Sequence, residues 1–317
     1  MKRPEWIPAI LTIFVVMLFA KMSTDFRDVR YLLGNTTIFA ETGLLAIGMT
    51  LIIISGNIDL SVGSSLILTS CLVAKFTHPN TPVTVSILFA FVIGTLLGTI
   101  NGLLVAFAKL PSFLVTLATM ALYRGIAQAI LGPTGADVAP AMKGLDRARL
   151  FGLPYPLIIF LVSALIVGLV LHRMILGRWL FGIGTNAEAA HYTGFPVQLA
   201  TVSTFAISGF LIGIAALMLN SQLGVARYDM EPGIELKAIT IVVAGGTAIS
   251  GGKGSMLGTV LSWMLLYFVR TGMGVTNIKA EYQLTIIGLI LILSVFAQQI
   301  AINFSSNRVK KQTKLGT

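Results

Sequence analysis

Charge in this chain is confined to short gaps between long uncharged runs, and that spacing limits its possible folds more than any motif does. The uncharged stretches span 6–20, 42–58, 60–74, 83–108, 110–123, 154–171, 197–226, 238–252, 254–269 and 282–307. A bilayer core takes about 20 apolar residues per helix, with a range of roughly 17–25. With the shorter runs extended over flanking polar residues, the pattern predicts about ten membrane helices. Transmembrane β-strands would alternate strictly over about 10 residues, and no such alternation is present. Composition agrees: 56% of residues are hydrophobic and 11% charged, too little charge to solvate a soluble domain of 317 residues. The expected fold class is therefore an all-α polytopic membrane protein, with residues 1–317 as one transmembrane domain.

The opening "MKRPEWIPAILTIFVVMLFA" reaches span length with no clean small-x-small site after it, so it reads as a retained first helix rather than a cleaved leader. The net charge is +10. Its basic residues sit beside spans and in the tail, where membrane lipid and topology account for them without nucleic acid. Ten spans place both termini on one side. The tail at 303–317 carries Arg308, Lys310, Lys311 and Lys314, and the start carries Lys2 and Arg3, which makes that side the cytoplasm. Residues 22–34, 77–82, 132–153, 223–236 and 273–281 then lie outside, and 56–60, 108–111, 173–197 and 249–255 inside. None of these gaps has room for a soluble domain. Any energy conversion must come from another polypeptide.

Several chemistries are excluded. The single Cys71 rules out a disulfide framework, and His78, His172 and His191 have no zinc-ligand spacing. "GGTAISGGKGS" at 245–255 fails as a phosphate loop, because Thr247 and Gly254 stand where Gly and Ser/Thr are required. Asp59 and Asp229 fall on opposite membrane faces in this topology and cannot share a proton as a protease pair would. No catalytic, metal or cofactor site is expected on the chain.

The polar residues inside apolar runs are the candidates for function. Asp59 lies in "IIISGNIDLSVGSSLIL" (52–68), beside Asn57. It either fixes a Gly-rich turn by accepting backbone N–H bonds, for instance as N-cap of the third helix, or acts directly in transport. Arg124 falls inside the fifth span, where a charge costs about 2.5–3.5 kcal/mol. It either lines a conduit or reaches toward the outer interface, where an acid such as Asp137 could pair with it. Asn101, Gln128, Asn220 and Gln222 suit a polar path or bonds across helices. Glycines in "GTLLGTING" (94–102) and "GSMLGTVLS" (254–262) suit close helix packing. A faint echo relates "TLIIISG" (50–56), followed by Gly63-Ser64, to "TIVVAGG" (240–246), followed by Gly254-Ser255. It is either an internal repeat or chance.

The segment 173–197 is the longest inner one. Gly182 and Gly184 are expected to break the preceding helix, Asn186 to cap a new one, and Gly194 and Pro196 to stop it. The resulting "AEAAHY" helix is too short to be stable alone in water. It is either docked on a partner through Glu188, Ala189 and Ala190 or a connector lying on the membrane.

"GRWLFGIGTNAEAAHYTGFPV" resembles the cytoplasmic loop of ribose-type ABC transporter permeases at Gly177, Arg178, Ile183, Gly184, Asn186, Glu188, Ala189, Ala190 and Gly194. "GMTLIIISGNIDLSVGS" and "GIELKAITIVVAGGTAISGGKGS" are similar to two further motifs of that family, in the same order, and "NGLLVAFAKLPSFLVTLATM" also fits. Departures are Asn57 for the usual Gly, Lys237 for an acidic or small residue, and His191 for Arg. The resemblance implies a ten-helix permease of the bacterial inner membrane, similar in architecture to the vitamin B12-type permeases. It implies a second permease copy, identical or different, and a periplasmic sugar-binding protein that delivers the solute. It also implies a cytoplasmic ABC ATPase subunit that carries the ATP and Mg and grips Gly184, Asn186, Glu188, Ala189, Ala190 and Gly194. Family substrates are sugars and sugar-like signalling molecules. With Arg124 as the one embedded cation, a neutral polyol is expected rather than an anion. The alternative is a stand-alone carrier or facilitator for a small polar solute.

Overall fold

The computed structural model describes residues 6–296 apart from 78, 79, 280, 281, 284, 287, 291, 294 and 295. The basic tail at 303–317 and the first five residues, on which the orientation rests, lie outside the described residues. Twelve α-helices are described: α1 (Trp6–Met22), α2 (Val29–Asn35), α3 (Ala40–Ile54), α4 (Val62–Phe76), α5 (Val83–Ala106), α6 (Ser112–Leu131), α7 (Tyr155–Arg173), α8 (Ile175–Thr185), α9 (Ala187–Tyr192), α10 (Val197–Leu223), α11 (Ile234–Ala244) and α12 (Met256–Val275). Four single-turn 3-10 helices (Asp25–Arg27, Thr36–Ile38, Pro140–Met142 and Leu145–Arg147) and two antiparallel pairs of two-residue strands complete the list. β1 (Ala136–Asp137) pairs with β4 (Val225–Ala226), and β2 (Arg149–Leu150) with β3 (Leu153–Pro154).

Among the described residues, five helices are long and apolar enough to cross a membrane: α5, α6, α7, α10 and α12. A sixth span results if Val29–Ile38 and α3, bent by 59° at their junction, are taken together. The chain is thus an all-α polytopic membrane protein, with fewer full-length helices among the described residues than uncharged runs in the sequence; much of the last run, 282–307, lies outside the described residues. For three other runs the difference has a physical cause. The runs at 42–58, 60–74 and 238–252 each contain a helix plus part of a Gly-rich turn. Their helices α3, α4 and α11 have 15, 15 and 11 residues, about 22, 22 and 17 Å at 1.5 Å per residue. The bilayer core is about 30 Å thick.

Burial divides the spans into centre and rim. In α10 and α12, 61% and 67% of the apolar window is covered by protein, against 28% in α5 and 33% in α6. The centre is held by small residues. A Cβ on Gly98 would stand 2.3 Å from the Phe205 carbonyl oxygen, and one on Gly94 2.3 Å from that of Gly209. Only bare backbone lets α5 and α10 approach this closely, in a solvent that gives apolar helices no hydrophobic reason to associate. The main core joins Leu44, Ile47, Leu66, Phe160 and Leu211 from several helices. A smaller cluster of Phe19, Phe26 and Val269 packs α1 onto α12.

Candidate functional site

Three chain turns meet at one end of the bundle: 54–57 after α3, 182–187 around the α8–α9 join, and 245–255 between α11 and α12. The first and third are built alike. At the end of α3 the Gly56 N–H bonds the Ile53 carbonyl and the Asn57 N–H that of Ile52. At the end of α11 the Gly246 N–H bonds the Val243 carbonyl and the Thr247 N–H that of Val242. Both are Schellman caps, with φ of +81° at Gly56 and +91° at Gly246. The echo between 50–56 and 240–246 is therefore also an echo of structure. The left-handed residue is Gly56, so Asn57 needs no positive φ, and its departure from the family pattern carries no strain.

The segment between α7 and α10 is more helical than expected. Gly182 and Gly184 do not break a helix: both lie inside α8, which runs to Thr185. The break falls at Asn186, whose Oδ1 accepts the Ala189 N–H at 2.9 Å and caps α9. Ala190 is buried while Glu188 and Ala189 are exposed, so α9 rests on the bundle by one face and presents the other. Gly194, at φ +82° with open space around it, turns the chain back toward α10. An open cavity of about 720 Å³ adjoins α9, lined among others by Asn57, Lys109, Ser112, Asn186 and Gln198.

Asp59 is 2% exposed. It is not the N-cap of α4, a position held by Ser61. Its Oδ1 instead accepts the Ser61 N–H at 2.8 Å and the Ser61 hydroxyl at 2.6 Å, fixing the turn one step earlier. Burial pushes the Asp59 carboxyl up to about 6, and the two bonds from Ser61 oppose that rise. Asn101 donates to the Ser61 hydroxyl oxygen at 2.7 Å, and Tyr123 donates to Asn101 at 3.2 Å. One buried chain of hydrogen bonds thus ties the turn to α5 and α6.

The remaining candidates do not converge with it. Asn220 is a clamp: its Oδ1 accepts from the Ser70 hydroxyl, and its Nδ2 donates to the Ser70 carbonyl at 3.1 Å, joining α10 to α4. Gln128 is exposed. Arg124 is half-buried, with an Nε that has no hydrogen-bond partner. Asp137 is taken by Lys143 at 3.2 Å. The acid whose charge interacts with Arg124 is Asp229, held below the usual carboxylate range chiefly by its bond from Arg227. The unusual Lys237 pairs with Glu231 at 3.0 Å. Among the described residues no group of His, Cys, Asp and Glu could hold a metal ion.

Glu41 and Arg270 are further charges inside helices of the bundle, α3 and α12, so Arg124 is not the one embedded cation. Glu41 is 2% exposed, with one carboxylate oxygen unpartnered. The Arg270 guanidinium lies 5.5 Å from the centre of the Phe39 ring, within cation–π range. Both residues end uncharged runs, and so looked like span boundaries. Their signal was a charge with apolar sequence on its other side as well.

Comparison with known proteins adds a family. Residues 31–295 match the family described as branched-chain amino acid transport system / permease component. The autoinducer 2 import system permease protein LsrD of Photorhabdus laumondii is 31% identical over 306 residues, covering 94% of this chain and 92% of the relative. Its counterpart in Yersinia enterocolitica is 33% identical over 302 residues, covering 93% and 91%. That of Yersinia pseudotuberculosis is 32% identical over 302 residues, covering 93% and 91%. No solved structure matches.

Proposed function

Because the chain belongs to the branched-chain amino acid transport system / permease component family, we propose that it is the membrane subunit of an ATP-driven importer. Its solute is a neutral, sugar-like polyol or signalling molecule. The near full-length likeness to autoinducer 2 import permeases supports that class. The observation that carries the reading is α9. It is a helix of six residues, capped by Asn186, with Ala190 seated on the bundle and Glu188 and Ala189 left outward. A helix this short is unstable in water unless it is held, and its exposed small residue permits close approach by a second protein.

In this reading a cytoplasmic ATPase, carrying ATP and Mg, grips α9, and a periplasmic binding protein delivers the solute at the other end of the bundle. A second permease copy completes the conduit. Both termini are cytoplasmic, in keeping with Lys2, Arg3 and the basic tail. The short helices α3, α4 and α11 pair with the remaining segments to give about ten passages through the membrane, in an arrangement like that of the vitamin B12-type permeases.

The test is purification of the tagged chain from its own membrane, followed by assay of the preparation for ATP hydrolysis. Wild type is expected to bring an ATPase subunit with it, and Ala189→Glu to lose that subunit while inserting normally. A chain that purifies without any hydrolytic activity, and keeps full uptake as the Glu variant, contradicts the proposal.

A further inference from the structure

Gly184 is a glycine in a helix, where alanine would be the more stable residue by about 1 kcal/mol. Its φ is not left-handed, so conformation does not demand glycine. Space does. A Cβ on Gly184 would stand 1.9 Å from the Ile54 carbonyl oxygen and 2.5 Å from the Gly252 nitrogen. Those two atoms are themselves hydrogen-bonded, the Gly252 N–H donating to the Ile54 carbonyl at 2.9 Å. Gly184 thus lies flat on a bond that joins the end of α3 to the turn before α12.

The other contacts at this point are equally bare. A Cβ on Gly251 would come within 2.8 Å of the Gly184 carbonyl oxygen and of the Gly56 Cα, and one on Gly252 within 2.5 Å of the Thr185 hydroxyl. Gly56, Gly251 and Gly252 hold φ of +81°, +82° and +71°. Three backbones therefore touch with no side chain to compress between them. Packed backbone does not deform continuously, so displacement of one segment is passed to the others. One residue, Thr185, separates Gly184 from the Asn186 cap of α9. Beyond the junction, the Thr50 and Thr259 hydroxyls meet at 2.8 Å and tie α3 to α12.

We propose that Ile54–Gly56, Gly184–Thr185 and Gly251–Gly252 form a rigid coupling joint, with Gly184 as its positioning residue. The joint delivers movement of α9 to α3 and to the α11–α12 hairpin together. These are the two units that end in matching Schellman caps, so one input drives two equivalent outputs. The inference rests on the importer reading and adds to it the route by which ATP-driven movement enters the membrane.

The experiment uses the assembled transporter in proteoliposomes, with ribose and autoinducer 2 as labelled probes, and reads solute taken up per ATP hydrolysed. Gly184 packs on Ile54 and Gly252 and is not part of the outer face of α9, so Gly184→Ala is expected to assemble and hydrolyse ATP within about twofold of wild type, while uptake per ATP falls roughly tenfold. Gly125→Ala, in α6 with nothing within 4 Å of its added methyl, is expected to match wild type. An unchanged ratio in an assembled Gly184→Ala transporter overturns the joint and leaves the importer reading intact. If that variant does not assemble, hydrogen exchange in the 245–256 segment of the wild-type complex decides. Protection kept both with and without ATP supports a rigid joint, and its loss in either state refutes it. Failure of the wild type to take up either probe with ATP overturns the importer reading and this inference with it.

Discussion

Asp59 shows how much one buried acid can be asked to do. Its carboxylate is the acceptor for two groups of Ser61, and Ser61 in turn accepts from Asn101. Replacing Asp59 by Asn preserves an acceptor oxygen at the same reach. Replacement by Leu leaves the Ser61 N–H and hydroxyl without theirs, at about 1–3 kcal/mol for each orphaned group. Asp59→Asn is therefore expected to insert and transport near wild-type level, and Asp59→Leu to lose thermal stability in detergent. A Leu variant that melts with wild type would refute the turn-fixing role. The raised carboxyl adds a pH signature. A group that binds its proton more tightly folded than unfolded stabilises most at low pH. That contribution is complete below about 4 and is lost as pH rises toward 6. The melting temperature of wild type relative to Asp59→Asn should fall across that window and then level off. A flat difference would show that the carboxyl is not perturbed. The turn-fixing role was legible from the flanking Gly56 and Gly63. The extension to Tyr123 was not, because its members lie 40 and 22 residues apart in sequence.

Helices divide into those the sequence announces and those it hides. Long runs such as 83–108 and 197–226 became α5 and α10 nearly as expected, because nothing inside them stops a helix. The glycines at 94–102 read correctly as packing residues. Gly98→Leu is expected to force α5 off the Phe205 carbonyl, at a cost of about 1–3 kcal/mol or more. Gel filtration of the detergent extract should show loss of the monodisperse peak, and an unchanged profile would argue against the contact. By contrast, Gly182 and Gly184 were misread as breakers. Helix propensity disfavours glycine only mildly, and tertiary contact at Gly184 outweighs it. The same blindness applies to the clamp between Asn220 and Ser70, which are 150 residues apart. Within α9, two neighbouring alanines should behave differently. Ala190→Glu drives a charge into the bundle and should lower the yield of folded protein, whereas Ala189→Glu should leave yield intact and act only on the partner. Equal yields for both would place α9 differently from the arrangement described.

At the scale of the whole molecule, full-length helices, two of them central and the others at the rim, pack with shorter ones that end in Gly-rich turns. Charge-free runs reveal that the chain belongs in lipid, but a run that contains a helix and its turn looks the same as a full span. That is why the number of passages was less legible than the fold class. The short helices end in irregular backbone, which inside a bundle is tolerated only where protein or water covers it. Movement in this bundle is proposed to be driven from α9 by a separate ATPase. The most direct measurement is uptake of labelled ribose and autoinducer 2 into proteoliposomes, with the purified chain alone or joined by its ATPase subunit and binding protein. Uptake of at least one probe is expected only when the ATPase, the binding protein and ATP are all present, and none by the chain alone. Uptake by the chain alone, driven by an ion gradient without ATP, would contradict it.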